Sequence, residues 1–165
     1  MAESVSFTKG APRKLIYAEI LPQIRSLIDE EPDMIANLAN VAAVLKEAFG
    51  FFWVGFYIAK EGELVLGPFQ GPIACTRIRF DKGVCGHAYS SRETTIVPDV
   101  NEFPGHIACS TAARSEIVVP IFTGDGEVFG VLDVDSDLED DFSGSDRDGL
   151  EAICRILSAR IDGGR

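Results

Sequence analysis

Apolar residues between Lys14 and Ile28 fall at helical spacing (Tyr17, Ile20, Leu21, Ile24, Leu27, Ile28), which predicts a first helix in which Pro22 marks either a kink or the true start. After "EEPD", with Pro32 suited to a first helical position, Ile35, Leu38, Ala39, Ala42, Leu45 and Phe49 repeat the period until Gly50. A second helix is expected there. The pattern then changes character. "FFWVGFYIAKEGELVLGPF" is aromatic and β-branched and is broken at Glu61-Gly62, the signature of a hairpin.

"CTRIRF" predicts a short strand, "GVCGHAYSSRE" a short helix opened by glycines, and "TTIVP" another strand. No period holds from Asp99 to Ala113, so a long loop is expected, and loops of that length in compact domains often carry function. "RSEIVVPIFTGDGEVFGVLDVDS" predicts two strands around the turn "TGDG". From Ser145 to Ile161 a Ser/Asp capping pattern precedes Leu150, Ile153, Leu157 and Ile161 on one helical face. Two helices, an antiparallel sheet interrupted by a helix and a loop, and a closing helix together describe an α+β domain of two or three layers.

A length of 165 residues suits one domain, residues 1–165, with 46% hydrophobic and 25% charged residues. The formal charge of −11 repels phosphate backbones and anionic headgroups, so neither nucleic acid nor a membrane surface is an expected partner. A ligand bearing an ammonium group is compatible with that field. "MAESVSFTKGAPRK" lacks the apolar stretch of a signal peptide and no later run approaches a membrane span, so a cytoplasmic location is expected. In a reducing compartment, four cysteines are expected to be buried, metal-bound or catalytic.

The thiols are Cys75, Cys85, Cys109 and Cys154, and no pair has the C-x-x-C spacing of a zinc knuckle or a thioredoxin-type site. Cys154 lies in the apolar stripe of the last helix and reads as core. Cys85, His87, His106 and Cys109 could form a zinc site, although "HIAC" is a weak spacing signal. For redox chemistry, one thiol must act as a thiolate and another must resolve its sulfenic acid. Proximity to a helix N-terminus favours Cys85 as the thiolate; position in the long loop favours the exposure and mobility of Cys109. Asp133 and Asp135 alternate along one predicted strand and share a face, and Glu116 opens its neighbour. Carboxylates within apolar strands are either solvated at a sheet edge or put to use. Trp53 and Tyr57 also share a strand face, either as core or as the wall of an aromatic pocket.

The segments "LVLGPFQGPIACTRI", "GVCGHA", "FPGHIAC", "SEIVVP" and "GVLDVDS", in this order and spacing, resemble the free methionine-(R)-sulfoxide reductases, single-domain enzymes of the GAF fold. The resemblance runs from about Ala18 to the last helix. It implies a central antiparallel sheet flanked by N- and C-terminal helices, and reduction of the free amino acid's R-sulfoxide without metal, flavin or nucleotide. It further implies thioredoxin as the source of electrons, Cys109 as attacking thiol, Cys75 as resolving thiol, and Cys85 as a third thiol that shares the resolving role. Glu116, Asp133 and Asp135 match the substrate-site carboxylates, and Trp53 and Tyr57 the aromatic wall. Ser110 stands where members often carry an acidic residue, and the "FTGDGEVFG" hairpin is slightly longer than usual. A non-catalytic GAF module that binds a small ligand is the alternative, and the amphipathic terminal helices suit a homodimer.

Overall fold

The computed structural model describes residues 4–107 and 109–163. Helices α1 (Arg13–Asp29) and α2 (Met34–Phe49) lead into strands β1 (Trp53–Lys60), β2 (Glu63–Gln70) and β3 (Arg77–Arg79). Helix α3 (Gly83–Ser91), strand β4 (Thr95–Val97) and a 3-10 turn (Val100–Glu102) follow, then strands β5 (Ser115–Phe122) and β6 (Val128–Ser136) and helix α4 (Gly144–Gly163). The six strands form one antiparallel sheet in the order β3-β2-β1-β6-β5-β4. No described helix is long and apolar enough to cross a membrane.

Neither Pro22 as the start of α1 nor Pro32 as the first residue of α2 holds. Helix α1 runs through Pro22, because Ile20, Ile24 and Ile28 on either side are fully buried and hold the helix in the core, against α2 and α4. Burial of that stripe outweighs the backbone hydrogen bond that proline cannot donate. Pro32 lies outside α2, whose N-cap is Asp33; the Asp33 side chain accepts from the Ala36 N–H at 3.0 Å, a bond proline could not supply. The closing helix starts at Gly144, one residue before the expected Ser145, and the Asp146 carboxylate accepts from the Ser143 N–H at 3.0 Å.

The central strands are buried on both faces, which is why "SEIVVPIF" reads as an almost continuous apolar run. One face carries Val54, Phe56, Ile58, Ile117, Val119, Ile121, Leu132 and Val134, packed under α2 and α4, with α1 against those two helices in the same core. The other carries Trp53, Tyr57, Val118 and Val131, covered by α3 and the connections around it. Cys154, 4% exposed, belongs to the first of these cores, as its place in the α4 stripe predicts. At the β1–β2 turn, Glu61 (φ 52°) and Gly62 (φ 86°) both adopt the left-handed conformation that a two-residue hairpin requires.

Candidate active site

The register of the three central strands assembles the site. Trp53 on β1 pairs with Asp135 on β6, which pairs with Glu116 on β5; Gly55 pairs with Asp133, which pairs with Val118. Side chains alternate between faces, so Trp53, Tyr57, Glu116, Asp133 and Asp135 all project to the face under α3. A one-residue slip of β6 would turn both aspartates into the core beneath the helices, so the two-sided burial fixes this arrangement. The solvated-edge alternative for the carboxylates is thereby overturned: they sit on central strands, with Glu116 6% and Asp133 5% exposed.

Trp53 and Tyr57 stack with ring centroids 6.0 Å apart, and Trp53 also stacks on Phe69 at 5.3 Å. Gly55 makes room for this wall: a Cβ there would lie 2.7 Å from the Trp53 Cη2 and 2.3 Å from the Phe69 Cβ. Both aromatic residues also carry a polar handle. The Trp53 Nε1–H donates to the Pro72 carbonyl at 3.0 Å, and the Tyr57 hydroxyl donates to the Cys75 carbonyl at 2.8 Å. These bonds tie the segment between β2 and β3 to the sheet and set the position of Cys75.

Cys75 is joined to Cys109 in a disulfide that closes 34 residues, with Cα atoms 5.4 Å apart. The pairing implied by the resemblance is therefore present. Cys85 and Cys154 are free and buried. Cys85 lies on the inner side of α3 and its thiol donates to Glu116 Oε1 at 3.9 Å. The expectation of a helix-terminus thiolate at Cys85 is corrected. Burial, followed by the negative fields of Asp133, Glu116 and Asp135, pushes this thiol well above its ordinary range. Within a nine-residue helix the terminal dipole does not offset full burial beside three carboxyl groups.

The carboxyl groups perturb one another. Desolvation raises Glu116 well above the usual carboxylate range, and the charges of Asp133 and Asp135 raise it further. Asp135 is raised by burial and by Asp133. Burial lifts Asp133 to about 6, against hydrogen bonding with Glu116 and Cys85, which favours its ionised form. Burial and its neighbours thus favour the protonated form of Glu116, whereas Asp133 ionises above about pH 6. Desolvation also raises Tyr57, so its phenol stays neutral.

Between these groups lies a cavity of about 40 Å³, lined among others by Trp53, Tyr57, Cys109, Glu116, Asp133 and Asp135. Cys109 lines it and Cys75 does not, so Cys109 is the member of the disulfide that faces the carboxyl wall. The zinc alternative of Cys85, His87, His106 and Cys109 does not assemble: Cys109 is bonded to Cys75, and His87 is exposed with its ring edge against Phe103, 5.7 Å between centroids. His106 lines the cavity, as does an apolar set that sequence reasoning missed: Ile73, Ala74, Val84 and Ile107. The period of the flanking elements carries no signal for these residues, which come from connections or from the inner side of a short helix.

The arrangement places a disulfide-bonded cysteine, three buried carboxyl groups and an aromatic wall around one small space. The description "GAF domain" matches residues 30–162. The chain is 54% identical over 158 residues to "GAF domain-containing protein A" of Dictyostelium discoideum, covering 95% of this chain and 99% of the relative. It is 39% identical to "Free methionine-R-sulfoxide reductase" of Saccharomyces cerevisiae, covering 95% and 92%. Among solved structures, the free methionine-R-sulfoxide reductase of Neisseria meningitidis in complex with its substrate superposes with a TM-score of 0.91 at 52% identity, covering 95% of this chain and 94% of that one. On these matches the chain belongs to the GAF-domain family, whose members similar to it include free methionine-R-sulfoxide reductases.

Proposed function

We propose that this protein reduces free L-methionine (R)-S-oxide to L-methionine, with Cys109 as nucleophile. The observation that carries the reading is the disulfide partner Cys109 facing Glu116, Asp133 and Asp135 across a cavity walled by Trp53 and Tyr57. The substrate must bind after the disulfide is reduced, because about 40 Å³ is room for little more than a water molecule and the Cys109 loop has to withdraw to admit an amino acid.

In this mechanism the Cys109 thiolate attacks the sulfoxide sulfur while Glu116, whose protonated form is favoured by burial, donates a proton to the sulfoxide oxygen. Collapse releases methionine and leaves the oxygen on Cys109 as a sulfenic acid. Cys75, held at the sheet through the Tyr57 hydroxyl, attacks the Cys109 sulfur; water leaves and the disulfide forms. The ionised Asp133, with Asp135, faces the substrate ammonium, and the stacked Trp53 and Tyr57 pack its S-methyl group. Cys85 keeps its proton and acts as a hydrogen-bond donor to Glu116 rather than as a redox thiol.

A protein dithiol of the thioredoxin type then returns two electrons to the disulfide. Ile73, 90% exposed and two residues from Cys75, offers an apolar contact beside the bond that such a partner must reach. The same reading takes in a cytoplasmic setting and a homodimer; Leu15 on α1 and Ile35 on α2, 46% and 55% exposed, suit packing between subunits. The test is a comparison of the wild type with Cys109→Ser. With a dithiol present, the wild type should form methionine from the R-sulfoxide and Cys109→Ser should form none. Full turnover by Cys109→Ser would remove Cys109 from the nucleophile's role.

A further inference from the structure

Cys85 Sγ and one carboxylate oxygen each from Glu116 and Asp133 lie within 4.8 Å of one another, on three separate elements. Neither Cys75 nor Cys109 belongs to this group, so it persists while the disulfide is closed. A second observation points to a cation: Asp133 Oδ1 is fully buried without a hydrogen-bond partner. An orphaned, buried carboxylate oxygen is costly unless a proton donor or a positive charge faces it. The cavity has the volume for an ion with a water ligand, though not for an amino acid.

We infer that Cys85, Glu116 and Asp133 form a site for a thiophilic divalent cation, Zn²⁺ or its spectroscopic substitute Co²⁺, which the protein binds with its disulfide closed. The geometry is close to what zinc requires. Tetrahedral coordination with Zn–S and Zn–O bonds of ordinary length places sulfur and oxygen about 3.6 Å apart. Cys85 Sγ and Glu116 Oε1 are 3.9 Å apart, so a small inward rotation of either side chain closes the set. One thiolate with two carboxylates favours zinc or cobalt over calcium or magnesium, which take oxygen ligands. As the metal binds, the Cys85 thiol proton and the Glu116 carboxyl proton both leave to solvent. A bound metal would occupy the place that the proposed function gives to the substrate ammonium and would thus inhibit. That consequence rests on the reductase reading; metal uptake does not.

The test uses protein oxidised to the Cys75–Cys109 disulfide, stripped with chelator, desalted and titrated with Zn²⁺ in equilibrium dialysis, with metal counted by atomic absorption. Wild type should bind one metal per chain, and Co²⁺ should develop a thiolate-to-metal charge-transfer band. Cys85→Ser should lose the band, and both Cys85→Ser and Asp133→Asn should bind more than about tenfold less tightly, since even an outer partner of a metal ligand is worth that much. Each variant is checked for native far-ultraviolet circular dichroism; if one does not fold, the other carries the comparison. Absence of uptake by oxidised wild type, or undiminished uptake by a folded variant, overturns the site whatever the protein catalyses.

Discussion

Asp133→Asn should stabilise the fold in a pH-dependent way while disabling the site. The native carboxyl group titrates at about 6 and an ordinary aspartate at 3.8, the difference being due chiefly to desolvation. That gap corresponds to about 3 kcal/mol at about 1.4 kcal/mol per tenfold change in proton affinity. Between the two values the unfolded chain has released this proton and the native state still holds it, so native stability falls as pH rises. The contribution is fully present below pH 3.8, lost progressively up to about 6, and constant above. Asparagine does not titrate, so the difference between wild type and variant reports Asp133 together with the shift its charge imposes on Glu116 and Asp135. The assay is urea unfolding of both proteins at several pH values from 4 to 7, in chelator, with the disulfide intact. Wild-type stability relative to Asp133→Asn should fall by about 2–3 kcal/mol across that range. A flat difference would show that Asp133 is solvated in the native state. A rise would show that it is held ionised. Either result refutes the assignment of a desolvated carboxyl group beside Glu116.

Tyr57→Phe removes the bond to the Cys75 carbonyl and should cost about 1–2 kcal/mol; the Cys109 sulfenic acid should persist longer to a trapping reagent after one turnover, and an unchanged lifetime would deny Tyr57 its positioning role. Gly55→Ala would force the added methyl into Phe69 and Trp53, so a loss of about 1–3 kcal/mol and altered emission from Trp53, the single tryptophan, are expected in thermal and fluorescence measurements. Unchanged values of both would contradict the packing. Asp146→Ala strips a fully buried carboxylate that pairs with Arg13 at 3.1 Å and accepts from the Tyr17 hydroxyl at 2.8 Å. It should cost about 3–5 kcal/mol in urea unfolding without altering KM, because the group lies under the helices, across the sheet from the site.

Much of the sheet was legible because aromatic and β-branched composition and the turns at Glu61-Gly62 and "TGDG" are local signals. The carboxyl wall was half legible: alternation puts Asp133 and Asp135 on one face, but only the pairing of β6 with β5 brings Glu116 beside Asp135. Cys85 shows where local reasoning misled. Its place in a short helix suggests a lowered pKa, whereas its environment is dictated by β5 and β6, whose residues lie about 30 to 50 positions downstream. Pro22 illustrates the same limit, since tertiary burial of Ile20, Ile24 and Ile28 carries α1 past a residue that disfavours helix interiors. The apolar lining from Ile73, Ala74 and Ile107 was illegible because irregular connections have no period, and the Cys75–Cys109 pairing came from family resemblance rather than from spacing.

The central claim, that Cys109 takes the oxygen from the free R-sulfoxide and Cys75 closes on it, is tested most directly in a single turnover. Fully reduced protein is mixed with excess racemic free methionine sulfoxide without any recycling reductant; the epimers and methionine are separated by chiral chromatography, and the thiols are mapped by mass spectrometry. The expected result is one methionine per chain, depletion of the R epimer alone, and a Cys75–Cys109 disulfide with Cys85 and Cys154 still free. Unchanged R epimer with all four thiols intact, or a disulfide that includes Cys85, would contradict the account.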